Sequence, residues 1–237
     1  HAYGLELHED KFQLLRINCK DVVRNVSLAP ISASPSLSYL GATLSSDGRV
    51  GSELSRRIGA AKADFRSLCK VWRHSSLTRA QKLKVFRALV ESKLMYALST
   101  CCFVKAELRR LDGFQSKCLR VILGILPSYF SRVSNAVVRE KAGWTSASAQ
   151  LLQQQMVLLG KVIRAEPGST LQEACFIPGT LQHVTGQFVR KVGRPRKEWV
   201  THVLPNAVHV AGGQQQLQAV VQNASDWKRL VQTSAVL

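Results

Sequence analysis

From Ser52 to Ile125, three stretches in close succession repeat apolar residues at intervals of three and four. Residues so spaced share one face of a helix, so each stretch predicts an amphipathic helix with one side to bury. In the first, Leu54, Ile58, Ala61, Phe65, Leu68 and Trp72 line the apolar face. Ser52 is the expected N-cap and Glu53 sits favourably near the positive helix end. This helix is expected to end near His74-Ser75-Ser76. The second opens with Thr78 and Gln81, a capping box, and carries Leu83, Phe86, Leu89, Val90, Leu94 and Ala97 as its stripe. The third runs from Lys105 to Leu123, with Leu108, Leu111, Cys118, Leu119 and Ile122 inward and Arg109, Arg110, Lys117 and Arg120 elsewhere. Gly124 and Pro127 stop it. Short connections predict packed, roughly antiparallel neighbours.

The flanking regions are patterned differently. Residues 1–44 read as extended. Phe12, Leu14, Leu15 and Ile17 suit a buried strand, although periodicity alone also allows a helix there. Pro30 to Ser38 is a loop rich in Ser, Ala and Pro. Tyr39 to Leu44 predicts a short strand, and Asp47-Gly48 a tight turn. After Pro127, helices are expected over Asn135–Ala142 and Ser148–Ala165, and a further apolar segment from Glu198. Gly212-Gly213 breaks the chain before a helical tail that ends around Trp227. The expected fold is mainly α (α+β), in three parts: a small β part over 1–50, a three-helix bundle over 51–127, and a helical basic extension over 128–237.

Charge is one-sided, with 33 Lys and Arg against 15 Asp and Glu, a net of +18. Such a field favours a polyanion, either nucleic acid or an anionic membrane surface. Residues 51–100 carry eleven basic and three acidic side chains, whereas residues 1–50 carry five of each. The charge therefore peaks on the first two helices. Arg56, Arg57, Lys62, Arg66, Lys70 and Arg73 on the first, and Lys82, Lys84 and Arg87 on the second, are the candidate phosphate contacts. The alternative for each is a solvated helix surface. The basic turn Gly193-Arg194-Pro195-Arg196-Lys197 could enter a minor groove, act as a nuclear-localisation signal or be a plain surface turn.

No Cys-x-x-Cys pair or His at knuckle spacing occurs among the six cysteines, which argues against zinc. Cys69, Cys101 and Cys118 fall on predicted apolar helix faces. Reduced thiols in a nuclear or cytoplasmic compartment are the expectation. No apolar run has the length of a membrane span, and no signal peptide is evident. Opening at His1 in mid-element, the chain reads as a fragment or an incomplete gene product.

Several motifs in order resemble the segment that follows the catalytic core in non-LTR (LINE-like) retrotransposon reverse transcriptases. Gly4-Leu5-Glu6-Leu7 followed by Lys11 resembles motif D, and Tyr39-Leu40-Gly41 with Asp47-Gly48 resembles the motif E hairpin, the primer grip. Arg56-Arg57-Ile58 with Ala61 is similar to the start of the first thumb helix. Leu94-Met95-Tyr96-Ala97 is similar to the Leu-x-Tyr-Gly-type ending of the second, and Leu111 through Ile125 resembles the third. Gly193-Arg194-Pro195-Arg196-Lys197 with Trp199 resembles a signature near the end of many such reading frames. The match spans residues 3–199, most of the chain, and is poor over 128–190.

The resemblance implies roles as well as departures. Lys11 would stand near the leaving pyrophosphate as a proton donor, or be a solvated loop lysine. Tyr39, with Leu40 and Gly41, would position the primer backbone, or Tyr39 would be a half-buried strand aromatic. The helix cations would hold an RNA–DNA hybrid or duplex DNA by backbone and shape. The family's carboxylates place two metal ions in motifs A and C. This sequence contains no Asp-Asp pair. Mg2+ is therefore expected only in a complete parent polymerase, and neither a metal nor another cofactor in this chain. The implied function is the palm edge, thumb and connection of an RNA-directed DNA polymerase that binds template–primer and is inactive alone. Missing upstream fingers and palm would be its partners. Two other readings stay open. One is a stand-alone basic nucleic-acid-binding helical protein of retroelement descent, or a decayed copy. The other is a basic module for acidic protein partners.

Overall fold

The computed structural model describes residues 11–17, 19–25, 27–74, 76–178, 180–184 and 198–234. The chain is mainly helical with a small β part, as the apolar spacing predicts. It divides into two compact units, residues 1–56 and 57–237, and the division falls inside a helix.

In the first unit β1 (Leu14–Leu15) runs parallel to β2 (Ala33–Ser34), with Leu14 opposite Ala33. The buried strand expected from Phe12 to Ile17 shrinks to these two residues, and Ile17 is exposed. Its partner strand stops at Pro35, which has no N–H to extend a ladder. β3 (Ser36–Tyr39) and β4 (Ala42–Ser45) form an antiparallel hairpin with Tyr39 opposite Ala42. The sequence predicts one strand from Tyr39 to Leu44, but the chain reverses at Leu40-Gly41, where both φ angles are positive (48° and 74°). Positive φ at both central residues is the condition for a two-residue turn whose twist matches its strands. The expected Asp47-Gly48 turn also forms, beyond the hairpin. Gly48 N–H donates to Ser45 O, and Arg49 N–H donates to Asp47 Oδ1.

α1 (Gly51–Ser67) starts one residue before the expected N-cap, so Ser52 lies inside the helix. Glu53 is buried, and its carboxylate accepts the Thr43 N–H of β4 at 2.9 Å. The same carboxylate takes the Arg56 guanidinium in a two-pronged pair, Nε to Oε2 at 2.9 Å and Nη2 to Oε1 at 2.8 Å. Arg56 also donates to Gly41 O at the hairpin turn. A charged residue of the first helical turn thereby ties the hairpin to α1.

In the second unit α1 passes into α2 (Cys69–Arg73) through Leu68. Phe65 stacks on Trp72 with centroids 4.9 Å apart, and meets Phe86 edge-on at 6.3 Å. The Trp72 indole N–H donates to Phe65 O, so the apolar face of this helix closes around an aromatic cluster. Thr78 forms the expected capping box with Gln81 and opens α3 (Arg79–Val85). The helix then widens into a π-helical segment, Phe86–Glu91, before α4 (Ser92–Met95). This extra residue resets the buried face, so Val90, Glu91, Leu94, Met95 and Leu98 are buried while Leu89, expected on the stripe, is exposed. The segment closes at Ala97, which has a left-handed φ of 61°.

α5 (Lys105–Leu123) has the expected limits and ends on Gly124 at φ 69°. It packs against α2, α3, α7 (Asn135–Ala142) and α8 (Ala147–Arg164), with the short α6 (Ser128–Ser131) between. α8 is the spine of the remainder. Its other side carries α9 (Thr170–Glu173), α10 (Trp199–Ala211), α11 (Gln214–Val221) and α12 (Ala224–Thr233). The single tail helix expected after Gly212-Gly213 is two helices, because Asn223 starts a new one, accepting from Ser225 N–H and Asp226 N–H. Trp227 is buried against α8, donates its indole N–H to Met156 O at 2.9 Å, and lies where a Cβ on Gly160 would stand.

Candidate nucleic-acid interface

The nine helix cations expected to touch phosphate separate into two groups. Arg57 is only 7% exposed, and its guanidinium lies 4.4 Å from the Tyr96 ring centroid. Burial over an aromatic face takes it out of a surface role, which corrects the expectation from spacing. Arg56 is engaged with Glu53 and Gly41 O, as described. Arg87 lies 4.2 Å from the Trp144 ring centroid and 3.9 Å from the buried Glu91 carboxylate. Lys82 donates Nζ to Trp72 O at 2.9 Å, at the negative end of α2, and so pins α3 beside α2. These four cations each have a partner within the fold, although Arg56 and Arg87 are themselves exposed.

Lys62, Arg66, Lys70, Arg73 and Lys84 form the second group. All five are exposed, and none has a salt bridge among the described residues. Helical bonding continues through the α1–α2 junction, with Leu68 N–H to Asp64 O and Trp72 N–H to Leu68 O, both at 3.2 Å. Leu68, at φ −87° and ψ 17°, divides α1 from α2, so at 100° per residue Lys62 and Arg66 share one face of α1 and Lys70 and Arg73 one face of α2. Asp64, the acidic residue on this stretch, is paired with Lys93. The result is a ridge of four unopposed cations backed by a packed aromatic face.

In the first unit Tyr39 and Leu40 are 62% and 76% exposed at the hairpin tip. Tyr39 is therefore a bare ring and not the half-buried strand aromatic of the alternative reading. Lys11 is exposed, and the rest of the motif D resemblance, Gly4 to Leu7, lies outside the described residues. So do Arg194, Arg196 and Lys197.

Two charged residues, Glu91 and Arg120, are buried and hold several polar partners each. Glu91 is buried at the end of the π-helical segment and accepts from Gln115 Nε2 (2.9 Å), Trp144 Nε1 (2.9 Å) and Gln150 Nε2 (3.2 Å). Its position three and four residues before the buried Leu94 and Met95 was the available signal. Arg120, expected away from the core, is 6% exposed and clamps the loop that follows α5. It donates to Leu126 O (3.1 Å), Ser131 Oγ (3.4 Å), Val133 O (2.7 Å) and Asn135 Oδ1 (2.9 Å).

Cys118 is buried on α5, Cys101 is half-buried outside any helix, and Cys69 is exposed; all six cysteines are free thiols. Among the described residues no three His, Cys, Asp or Glu side chains converge as a metal site. No described helix is long and apolar enough to cross a membrane. Comparison with protein families, with curated proteins and with solved structures gave no match.

Proposed function

We propose that the chain holds a nucleic-acid duplex by its backbone, as the primer-grip and thumb portion of a reverse-transcriptase-like polymerase. The observation that carries the reading is the ridge of Lys62, Arg66, Lys70 and Arg73, unopposed by acid and fixed by the Phe65–Trp72–Phe86 cluster beneath it. Charges on a rigid helix face meet a repeating phosphate backbone without reading base edges, which suits a template–primer whose sequence varies. The ordered motifs, from Tyr39-Leu40-Gly41 to the third helix, give the duplex its expected identity as an RNA–DNA hybrid. The exposure of Tyr39 beside the β3–β4 turn is consistent with a primer-grip role for it.

Binding should weaken steeply with salt, by about 0.9 log units per phosphate contact for each tenfold rise on duplex DNA. Replacing Lys62, Arg66, Lys70 and Arg73 together by Gln should flatten that dependence by roughly three to four units in slope. Lys161→Gln with Lys228→Gln, at exposed positions on α8 and α12, should leave it nearly unchanged. Anisotropy titrations on hybrid and duplex DNA across a salt series check both. A slope indifferent to the ridge substitutions overturns the reading, and salt-insensitive binding to an acidic peptide would favour a protein partner instead.

A further inference from the structure

The loop between α5 and α7 presents two large aromatic side chains to solvent. Tyr129 is 76% exposed and Phe130 69%, with ring centroids 4.7 Å apart in an edge-to-face arrangement. Leu126, 64% exposed, precedes them. Exposed loop aromatics usually cost order, yet this backbone is fixed. The buried Arg120 holds Leu126 O, Ser131 Oγ, Val133 O and Asn135 Oδ1, binding both ends of the loop to α5. Phe130 N–H and Ser131 N–H donate to Pro127 O, and Arg132 N–H to Ser128 O, closing the short helix that carries the rings. Such a loop has two rigid, flat side chains on display and little conformational freedom to lose on binding.

The charge around it identifies the occupant. Between Asp112 and Glu140 the chain has no acidic residue and four basic ones, Lys117, Arg120, Arg132 and Arg139. Arg120 is committed to the loop, whereas Lys117 and Arg132 are exposed. Exposed rings on a basic stretch of chain that contains no acidic residue suit an unpaired nucleotide, whose base stacks while its phosphate meets a cation. An apolar protein partner would not require a stretch free of acidic residues.

We propose that Tyr129 and Phe130 form a stacking platform for unpaired bases of single-stranded nucleic acid. The platform is distinct from the duplex-binding ridge on α1 and α2, and the inference rests on the reading of the chain as a nucleic-acid-binding protein. Stacking is indifferent to base identity, so the platform binds single strands with little sequence preference.

The test uses the full chain and two probes, a single-stranded oligonucleotide and a blunt duplex, each also titrated against the ridge variant. Tyr129→Leu with Phe130→Leu keeps apolar bulk but removes both π faces. It should weaken single-strand binding on the order of tenfold while leaving blunt-duplex affinity and the salt slope unchanged, since no cation is lost. Tyr129→Phe with Phe130→Tyr should retain wild-type binding. Both positions are exposed, so folding is checked simply by an unchanged thermal transition. Wild-type single-strand affinity in the leucine variant overturns the platform, as does an equal loss on single strand and duplex. A ridge variant that binds duplex normally would instead defeat the duplex reading, whatever the platform does.

Discussion

Ala97 occupies a backbone conformation that its side chain disfavours. At φ 61° its Cβ crowds the following carbonyl, a cost of roughly 1–2 kcal/mol for an L residue. Ala97→Gly should stabilise the protein by up to about 1 kcal/mol, after the extra freedom glycine brings to the unfolded chain is deducted. A higher urea midpoint with an unchanged m-value is the expected result. Leu40 shows the same tension at the hairpin tip with φ 48°, and it is exposed as well as strained.

Among the elements, the junction of the π-helical segment, α5 and α8 is organised by polar groups more than by apolar ones. Gln115 donates to Glu91 and to Thr145 O, and accepts the Ala147 N–H, while Asp112 accepts the Ser148 N–H at 2.8 Å. The first turn of α8 therefore has its free N–H groups satisfied by α5 as well as by its own cap, Ser146. Glu91→Ala would remove the acceptor of Trp144 Nε1 and one of the two acceptors of Gln115 Nε2, at a cost of roughly 2–3 kcal/mol. Glu91→Gln, which keeps an acceptor oxygen, should lose distinctly less; equilibrium urea unfolding of the pair makes the comparison. This junction explains what could be read from sequence. Caps and apolar spacing are local, so α5, α7 and the Thr78–Gln81 capping box were legible to the residue. The burial of Glu91, Arg57 and Arg120 depends on partners far along the chain, and a charged residue gives no periodic sign of being inside. The hairpin turn was obscured for a related reason: Leu40 looks like a strand residue and becomes a turn residue only because Gly41 follows it and Ala42 pairs back to Tyr39. For the candidate interface, spacing found the cation ridge but could not separate Lys62 or Arg66 from Arg57, which differs only in what packs over it.

Taken as a whole the molecule carries +18, and a net charge of that size opposes compaction through self-repulsion. Its acid–base behaviour also has a specific alkaline limit. Burial pushes the Cys118 thiol from 9.0 up to about 12, against a smaller opposing pull from Lys117. The folded form keeps this proton while the unfolded chain releases it above pH 9, so the contribution is complete below pH 9 and lost as pH rises toward 12. Stability should fall in that window with a slope approaching ~1.4 kcal/mol per pH unit from this group, and Cys118→Ala should lack that component. Thermal or urea unfolding at pH 8 to 11, compared between the two proteins, measures it. The π-helical segment, finally, bears on how the chain tolerates change in length. It behaves as one residue already inserted into a helix, with both flanks kept facing the core. Removing a residue among Arg87, Ala88 and Leu89 would return the turn to ordinary helical pitch and leave Leu83 and Leu94 facing as they do. The same deletion in the middle of α5 would swing everything beyond it by about 100° and carry Cys118, Leu119 and Ile122 out of the core. Two helices of similar composition thus differ in what a missing codon would do to them.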